Sequence, residues 1–328
     1  MKRVGYLAER VFTMDNVRSA WDAYNKNRPK KLRKEFNEEL AYNILCEAKS
    51  DYSSLIGIPR TKEIREGGKM RNLEIPSFKS SIGMLMLWNI CGKYVEKRIH
   101  NMSFSSRKGM GGHLAAKKCS RFIRTHRGES KVCLYFDIRK YYQHIDKTIL
   151  LGRIKTIFKD KRIIEMFGII LESTKVGLPI GYPFSHALAN LYLVELYFLI
   201  RSIKGISKVF VYMDNWNILS KTKKAAHMAL NTARGWLSTV GCSIKGDWQI
   251  FPTNSRRVKI CGFELSPMKM GRLFKGIWRR TRRAFERYKE NPTKKLYNSL
   301  MSRKGWLMGV NRQFSFAFKL DNGGYLWK

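Results

Sequence analysis

The sequence predicts an α+β fold, on three observations. Between residues 131 and 265, short β-prone segments alternate with segments whose apolar residues recur every three or four positions. The strands are few, so the helices are expected to cover one face of a small sheet. Residues 1–50 and the basic C-terminal part from about residue 272 show helical periodicity alone.

Apolar runs and turn residues place the individual elements. Residues 56–76 are predicted to form a hairpin around Gly67 and Gly68, and residues 208–220 two strands joined by a tight turn at Asp214. Asp146 is well placed to cap the helix that follows it. Further strands are predicted at 131–138, 242–252 and 256–266, and helices at 81–100, 112–126, 146–158, 162–173, 185–203 and 223–240.

The charge of the chain indicates a polyanionic partner. The chain of 328 residues carries 64 Lys and Arg against 25 Asp and Glu, a net charge of +39, which would repel itself unless polyanions neutralised it. Nucleic acid is the first candidate. A membrane is not expected, because the basic residues are spread along the chain, and the apolar run 187–200 is too short to span and contains Glu195.

The cysteines and the first residues of the chain indicate the cellular compartment. No two of the six cysteines share a CxxC spacing, and the first residues lack an apolar segment of signal length. Free thiols in a reducing cytoplasm are therefore expected.

Two acids end or interrupt apolar strands. Asp137 closes "LYFDI" and Asp214 lies within "VYMDN", and on adjacent strands their carboxylates would converge. Two close carboxylates need a shared proton or a divalent cation. Mg²⁺ suits a site with few carboxylates and room for phosphates, and two such ions can support phosphoryl transfer. The alternative is that these acids only cap neighbouring helices.

Seven blocks, over about residues 55–270, resemble the ordered motifs of reverse transcriptases. The central blocks are "FDIRKYYQHID" (136–146), "GLPIGYPFSHALANLYL" (177–193) and "VYMDN" (211–215). The flanking blocks are 67–76, 104–115, 241–250 and 260–265. The resemblance implies a right-hand polymerase fold with fingers, palm and thumb. The implied domains are an N-terminal helical basic extension (1–54), fingers (55–130), a palm (131–265) with a fingers insertion (147–176), and a helical basic thumb (266–328).

The resemblance also implies the roles of single residues. Asp137 and Asp214 would hold two Mg²⁺ ions, with the carbonyl of Ile138 as a third ligand and Mn²⁺ able to replace the metal. Asn215 stands where the family usually has a second Asp. Tyr142 would exclude a ribose 2′-hydroxyl; alternatively it belongs to the core, as one of the pair with Tyr141 is expected to.

Other family positions would contact the nucleotide or the nucleic acid. Lys69 and Arg71 would meet the triphosphate, unless they only form a solvated hairpin tip. Ser185 would cap the next helix and face the active site, or only cap the helix. The remaining implied positions are Ile180, Gly181 and Tyr182 at the templating base pair, Lys245 near the pyrophosphate or simply at the surface, Tyr212 and Met213 at the primer end, and Arg272, Lys275, Arg279, Arg280 and Arg283 on the duplex phosphates.

Within the superfamily, the chain looks most like bacterial diversity-generating retroelement enzymes. The loop "LPIGYPFSH" resembles their pattern IGxxxSQ, although His186 replaces Gln and Tyr182 a smaller residue. A defence-associated reverse transcriptase is the related alternative. Either implies a bacterial or phage-encoded enzyme whose partners are a structured template RNA, an RNA–DNA duplex, dNTPs and an accessory protein.

Three functions remain open from the sequence. The first is an RNA-directed DNA polymerase. The second is a catalytically weakened RNA-binding scaffold with the same fold, which Asn215 motivates. The third is a basic RNA-binding protein unrelated to polymerases. The charge exceeds what a duplex in a cleft needs, which predicts a second nucleic-acid surface.

Overall fold

The computed structural model describes residues 2–26, 28–66, 69–175, 177–268, 272–273 and 275–308, without the side chains of residues 66, 69, 272, 273, 275 and 304–308. The predicted turn at Gly67 and Gly68 lies outside these residues. The chain forms two compact units. The first comprises the chain up to Ser103, Ile138–Leu199 and Thr232–Gly246, and the second comprises Phe104–Asp137, Ile200–Asn231 and the chain from Asp247 onward.

Helices and short strands alternate along the described chain. The helices are α1 (Ala8–Val11), α2 (Met14–Asn25), a 3₁₀ turn (Lys30–Leu32), α3 (Glu38–Ser50), α4 (Tyr52–Leu55), α5 (Phe78–Glu96), α6 (Gly112–Thr125), α7 (Tyr141–His144), α8 (Lys147–Ile157), α9 (Lys161–Glu172), α10 (Ser185–Tyr192), α11 (Val194–Ser202), α12 (Lys223–Thr239), α13 (Lys275–Glu290) and α14 (Lys294–Met308). The strands are β1 (Arg60–Glu66), β2 (Lys69–Ile75), β3 (Val132–Asp137), β4 (Ile206–Tyr212), β5 (Asn215–Ser220), β6 (Gln249–Pro252), β7 (Val258–Ile260), β8 (Phe263–Leu265) and β9 (Arg272–Leu273).

Helix α5 runs through the core of the first unit. Its N-cap Ser77 accepts a hydrogen bond from the Ser80 backbone N–H, and apolar side chains along it are fully buried, among them Ile82 and Leu87. A Cβ at Gly83 would lie 2.5 Å from Leu55 Cδ2, so this glycine allows the close approach of α4. The first unit therefore packs helices around a central helix about half of whose residues are buried. It also carries the β1–β2 hairpin.

The second unit contains a four-stranded antiparallel sheet in the order β4–β5–β3–β6. Strand β3 lies between β5 and β6, and alternate residues point to opposite faces. Phe136 and Trp216 are directly opposite in the register, fully buried and stacked with ring centroids 5.7 Å apart. This apolar face fixes the pairing of the two strands, and the opposite face carries the polar side chains.

Most predicted elements are confirmed, including the α+β class, the hairpin at 60–75 and the Asp146 cap, whose carboxylate accepts from the Ile149 N–H. Two predictions were wrong. The predicted helix 185–203 is divided into α10 and α11 around Leu193. Of the predicted strand 242–252, only Gln249–Pro252 forms a strand, β6.

The predicted single strand 256–266 was also wrong, because it is a hairpin of β7 and β8. Cys261 (φ 46°) and Gly262 (φ 84°) form its two-residue turn, and Ile260 pairs with Phe263 across it. Two successive positive φ angles are typical of a type I′ turn, which matches the twist of the strands. A Cys-Gly pair is an uncommon signature for that turn, so the sequence pattern did not reveal it.

Within the described residues, no helix combines the length and apolar character needed to cross a lipid bilayer.

Candidate active site

The β4–β5 hairpin presents Asp214 at its tip. Strand β4 ends at Tyr212 and β5 begins at Asn215, which pair with each other, so only Met213 and Asp214 form the turn. Met213 has a φ of 58°, a left-handed conformation that costs a non-glycine residue roughly 1–2 kcal/mol. The flanking strand pairs hold this conformation, and they thereby fix where the Asp214 backbone lies.

Asp137 lies at the same edge of the sheet as this tip. It is the last residue of β3 and pairs in register with Asn215, the first residue of β5. The antiparallel pairing therefore brings the end of β3 beside the start of β5 and its preceding turn. The two acids singled out from the sequence thus belong to one edge of one sheet.

Asn215 connects a tyrosine to one of these acids. The Tyr135 hydroxyl donates to Asn215 Oδ1 at 2.9 Å, and Asn215 Nδ2 donates to Asp214 Oδ1 at 3.2 Å. An amide can accept and donate at once, whereas an ionised carboxylate can only accept. An aspartate at this position would lose the bond to Asp214 and add a negative charge beside it. The amide therefore orients Asp214 in a way that a second acid could not.

Tyr135 lies among three carboxylates. Burial raises the pKa of Tyr135 to about 12, with smaller contributions from the negative charges of Asp137, Asp247 and Asp214. The hydroxyl therefore stays protonated and remains a hydrogen-bond donor at neutral pH. Neither Tyr135 nor Asp247 was singled out from the sequence. The one available signal was that Asp247 interrupts the predicted strand 242–252, in the way that Asp214 interrupts an apolar segment.

The donor atoms at this edge suit a hard cation. Among the described residues, no group of three or more His, Cys, Asp or Glu side chains is arranged to hold a metal ion. Asp137 and Asp214 offer carboxylate oxygens alone, the ligands that Mg²⁺ prefers. Mg²⁺ commonly takes one or two carboxylates and completes its shell with water and substrate phosphates. The donor set therefore fits Mg²⁺.

A cavity of about 490 Å³ adjoins the polar face of this sheet. Its lining combines amides, a carboxylate, two tyrosines and the cations of the β7–β8 region. These residues are Tyr135, Tyr212, Asn215, Asn217, Asp247, Gln249, Phe251, Arg256, Arg257, Lys259, Ile260, Cys261 and Gly262. The predicted primer-end residue Tyr212 is thus half-buried at the wall of this cavity.

In the first unit, Tyr141 and Tyr142 take different positions. Tyr141 is buried, and its hydroxyl donates to the carbonyl of Ala189. Tyr142 is half-buried, and its Oη lies 2.5 Å from Nδ1 of His186. Partial burial lowers the pKa of His186, which favours the neutral ring. Nδ1 of the neutral ring can accept a hydrogen bond from the Tyr142 hydroxyl. Tyr141 is therefore the core tyrosine of the pair, and Tyr142 is held by His186.

Backbone hydrogen bonds hold the loop before α10 against Tyr142 and Glu74. Leu178 N–H donates to the Tyr142 carbonyl at 2.8 Å, and Glu74 N–H donates to the Ile180 carbonyl at 2.9 Å. A Cβ at Gly181 (φ 127°) would lie 2.4 Å from the Glu74 carbonyl oxygen. The requirement for glycine at 181 therefore already follows from the protein's own backbone. Ile180 is half-buried beside it.

Two predicted site residues of this loop are buried. Tyr182 is 4% exposed, and its hydroxyl hydrogen-bonds Ser173 Oγ at 2.8 Å. Ser185 is 3% exposed and is the first residue of α10. Its predicted capping role was wrong, because Phe184 occupies the N-cap position and no side chain caps this helix. The ring at position 184 fills the core there, stacked on Trp88.

The remaining predicted residues lie on several elements. Arg71 is exposed on β2, and Lys245 is half-buried in the loop before β6. The side chains of Lys69, Arg272 and Lys275 lie outside the described part of the chain. On α13, the arginines are exposed, whereas Phe285 is buried; the arginines predicted to bind nucleic acid are Arg279, Arg280 and Arg283.

The C-terminal helices bring several arginines together. Burial, followed by the charges of Arg280 and Arg287, lowers the pKa of Arg303 on α14. Like charges at this spacing repel one another, so the cluster is more stable with an anion bound. The predicted stripe of arginines is therefore a surface of concentrated positive charge.

The raised pKa of Tyr135 predicts a change in the pH dependence of stability. Its hydroxyl is protonated in the folded state up to about pH 12, but in the unfolded chain only to about pH 10. The stabilisation that this raised pKa provides is therefore complete below pH 10 and is lost between pH 10 and pH 12. As the pH rises from 10 to 12, we expect the unfolding free energy to fall by less in Tyr135→Phe than in the wild type. Urea denaturation at each pH measures both.

The matched control for this measurement is Tyr6→Phe, because Tyr6 is 90% exposed. It should show the wild-type pH dependence. Identical pH profiles for the two variants would contradict the environment described for Tyr135.

Comparisons with known proteins address the family and the fold. Residues 69–283, well over half of the chain, match the family model described as "Reverse transcriptase (RNA-dependent DNA polymerase)". No curated protein matches the chain.

Three solved telomerase structures are similar to the chain. Apo telomerase from Candida tropicalis truncated from its C-terminal domain has 11% identity and a TM-score of 0.51, over 73% of this chain and 61% of that one. Telomerase from Candida albicans with a TWJ fragment of telomeric RNA has 12% identity and a TM-score of 0.52, over 88% of this chain and 59% of that one. Apo telomerase from Candida tropicalis has 12% identity and a TM-score of 0.51, over 86% of this chain and 65% of that one.

At such low identity these similarities show the fold alone, and the chain spans about three fifths of the telomerase chains that it matches. None of the three is a bacterial diversity-generating enzyme, so that subgroup stays a prediction. The fold agrees with the motifs found in the sequence, and the family model begins at β2 and covers the whole four-stranded sheet β4–β5–β3–β6. The chain therefore belongs to the reverse transcriptase (RNA-dependent DNA polymerase) family.

Proposed function

We propose that this protein is an RNA-directed DNA polymerase that copies a structured RNA template into cDNA. The observation that carries the proposal is the pair Asp137 and Asp214 at one edge of the sheet, with Asp214 oriented by the Tyr135–Asn215 hydrogen bonds. The family match supports the reaction class. The net charge of +39 supports a nucleic-acid substrate.

Asp137 and Asp214, with the backbone carbonyl of Ile138, would hold two Mg²⁺ ions, or Mn²⁺ in their place. Bound there, the metal would activate the primer hydroxyl and neutralise charge on the leaving pyrophosphate. Asn215 would keep Asp214 oriented, and Tyr135 would hold the amide. Asn215 is consistent with an active enzyme under this proposal, because its role is to orient Asp214.

We assign nucleotide selection to residues of the first unit. The Tyr142 ring would exclude a 2′-hydroxyl, and its bond to His186 would fix the ring's position. Arg71 is exposed on β2 and would bind the triphosphate with Lys69, because a planar guanidinium matches phosphate oxygens. The other proposed nucleotide contacts are Ile180, Gly181, Tyr182, Ser185 and Lys245, of which Tyr182 and Ser185 would act from buried positions.

We assign duplex binding to the second unit. Tyr212 and Met213 would lie at the primer end, and α13 would bind phosphates as part of a thumb (266–328). The exposed arginines of α13 and the crowded Arg303 support this assignment. Residues 1–54, 55–130 and 131–265 would be the extension, the fingers and the palm, with the insertion at 147–176.

The metal ligands can be tested by primer extension. We expect Asp137→Asn and Asp214→Asn each to lower kcat by about 1,000-fold or more, since metal binding contributes several kcal/mol to the transition state and 1.4 kcal/mol is tenfold. Asp22→Asn, a change at an exposed acid on α2, should leave extension unchanged. Unchanged extension in Asp137→Asn would overturn the proposal.

The second candidate function is an RNA-binding scaffold with weakened catalysis, and Asn215 is the observation that favours it. The two candidates predict different results for Asn215→Asp. The polymerase predicts extension by the wild type and an equal or lower rate in the variant, because the bond to Asp214 is lost. The scaffold predicts no extension by the wild type with Mg²⁺ or Mn²⁺, and its appearance in Asn215→Asp.

The hydrogen bond between Tyr142 and His186 predicts an effect on sugar selection. One hydrogen bond contributes about 0.5–1.5 kcal/mol, so His186→Phe should lower the preference for dNTP over rNTP by up to about tenfold. His186→Gln keeps an acceptor and should stay near the wild type. The measurement is kcat/KM for dGTP and rGTP in single-nucleotide extension.

Tyr142→Ala is the reference variant and should lose most of the preference. Equal behaviour of His186→Phe and His186→Gln would show that the hydrogen bond does not position the ring.

We further propose that the enzyme is of the bacterial diversity-generating type, on the loop "LPIGYPFSH", with a defence-associated enzyme as the related alternative. It would be bacterial or phage-encoded, act in the cytoplasm and work with an accessory protein. Sequencing the RNA and cDNA that co-purify with the protein tests this. A template with a near-copy target gene is expected; a repetitive or self-contained cDNA would indicate defence instead.

A further inference from the structure

We propose that the second unit carries a separate binding site for the phosphodiester backbone of RNA, at the end of the sheet opposite to Asp137 and Asp214. The site is a cavity of about 440 Å³ where β3 begins and where β5 and β6 end. Its lining residues are Arg127, Lys131, Val132, Lys221, Thr222, Lys223, Pro252, Thr253, Asn254, Pro267 and Met268. Binding there does not require polymerase activity.

The charge of this cavity has one sign. In the part of the lining that the structure describes there are four cationic side chains and no acid; the cations are Arg127, Lys131, Lys221 and Lys223. All four are exposed, and none forms an ion pair with an acid in the part of the chain that the structure describes. Four uncompensated cations around one cavity repel each other, so an anion bound between them stabilises the arrangement.

The backbone that carries these cations is fixed by hydrogen bonds. Thr253 N–H donates to the Lys131 carbonyl at 3.0 Å, and Lys221 N–H donates to the Gly205 carbonyl at 2.9 Å. Thr222 accepts from the Ala225 N–H at 3.2 Å and so caps the start of α12. The N-terminus of this helix adds partial positive charge from its backbone amides at the cavity. The site is therefore preorganised for anions.

The site is distinct from the candidate active site. Strand β3 runs from Val132 at the cavity to Asp137, and a strand rises about 3.3 Å per residue, which separates the two ends by about 17 Å. That is close to twice the Debye length of about 8 Å at physiological ionic strength. One phosphate cannot contact both ends. A polynucleotide of several residues can reach from one to the other, or a separate part of a folded RNA can occupy the cavity alone.

The lining favours an RNA backbone over a free nucleotide. Among the described residues that line the cavity none is aromatic, so these residues offer no surface on which a base could stack. Four cations match several phosphates in a chain better than a single phosphate group. Thr222 and Asn254 place a hydroxyl and an amide among the cations, and these groups can hydrogen-bond a ribose 2′-hydroxyl. Binding would therefore be independent of sequence and stronger for RNA than for DNA.

The test compares two triple variants of the full chain. The site variant carries Lys131→Gln, Lys221→Gln and Lys223→Gln. The control carries Lys117→Gln, Lys155→Gln and Lys161→Gln, which removes the same charge from exposed lysines on other elements. The probe is a labelled RNA hairpin with a single-stranded extension, and its Kd is measured over a series of KCl concentrations. A third variant with Arg at the three site positions keeps the charge.

We expect the site variant to bind the RNA more weakly and to lower the slope of log Kd against log salt by about 2 to 3, because each lost phosphate contact removes about 0.7 to 0.9. The Arg variant should restore the wild-type slope, and the control should change it by less than the site variant. The DNA hairpin of the same sequence should respond less than the RNA. Equal losses in the site and control variants would overturn the proposal, because only bulk charge would matter.

Two further measurements distinguish RNA binding at this cavity from nucleotide binding and from polymerase activity. If the site variant lost binding of free ATP but not of RNA, the cavity would be a nucleotide site and the proposal would fail. Primer extension on a short template–primer should be the same in the site variant and the wild type. If neither extends the primer while the RNA slopes differ as expected, the proposed polymerase fails and the RNA site stands.

Discussion

The register between β3 and β5 is the constraint on which the candidate site depends. Side chains alternate between the two faces of a sheet, so a slip of one residue would move Tyr135 and Asp137 into the apolar face. The buried, stacked pair of Phe136 and Trp216 opposes that slip of β3, because it would move Phe136 out of the apolar face and away from Trp216. The core on one face therefore fixes the carboxylate edge on the other.

The two ends of this sheet have opposite chemistry. One end concentrates the charges of Asp137, Asp214 and Asp247 around one tyrosine, and the other end is lined by four cations. The acidic end repels phosphate unless a divalent cation intervenes, whereas the basic end attracts it directly. Strand β3, which has six residues, thus separates the proposed metal site from the proposed binding site for RNA.

In the first unit, backbone contacts fix the loop beside Tyr142. Gly177 (φ 55°) comes so close to the Tyr142 carbonyl that a Cβ there would lie 2.1 Å from that oxygen, and Gly181 approaches the Glu74 carbonyl similarly. The loop that precedes His186 is therefore held in place by the protein's own backbone. His186 has a ring nitrogen that can accept a hydrogen bond, and the Tyr142 hydroxyl lies within hydrogen-bond distance of it.

The sequence by itself determined the strands around Asp137 and Asp214, the cap at Asp146 and the ordered motifs, because these are local patterns in which periodicity and turn chemistry act within a few residues. The tertiary structure alone decided that Asn215 bridges Tyr135 to Asp214, that Asp247 joins the acidic cluster and that Tyr182 and Ser185 are buried. It also brought Lys131 and Lys221 to one cavity. Such neighbours are distant in sequence, and only the pairing of strands brings them together.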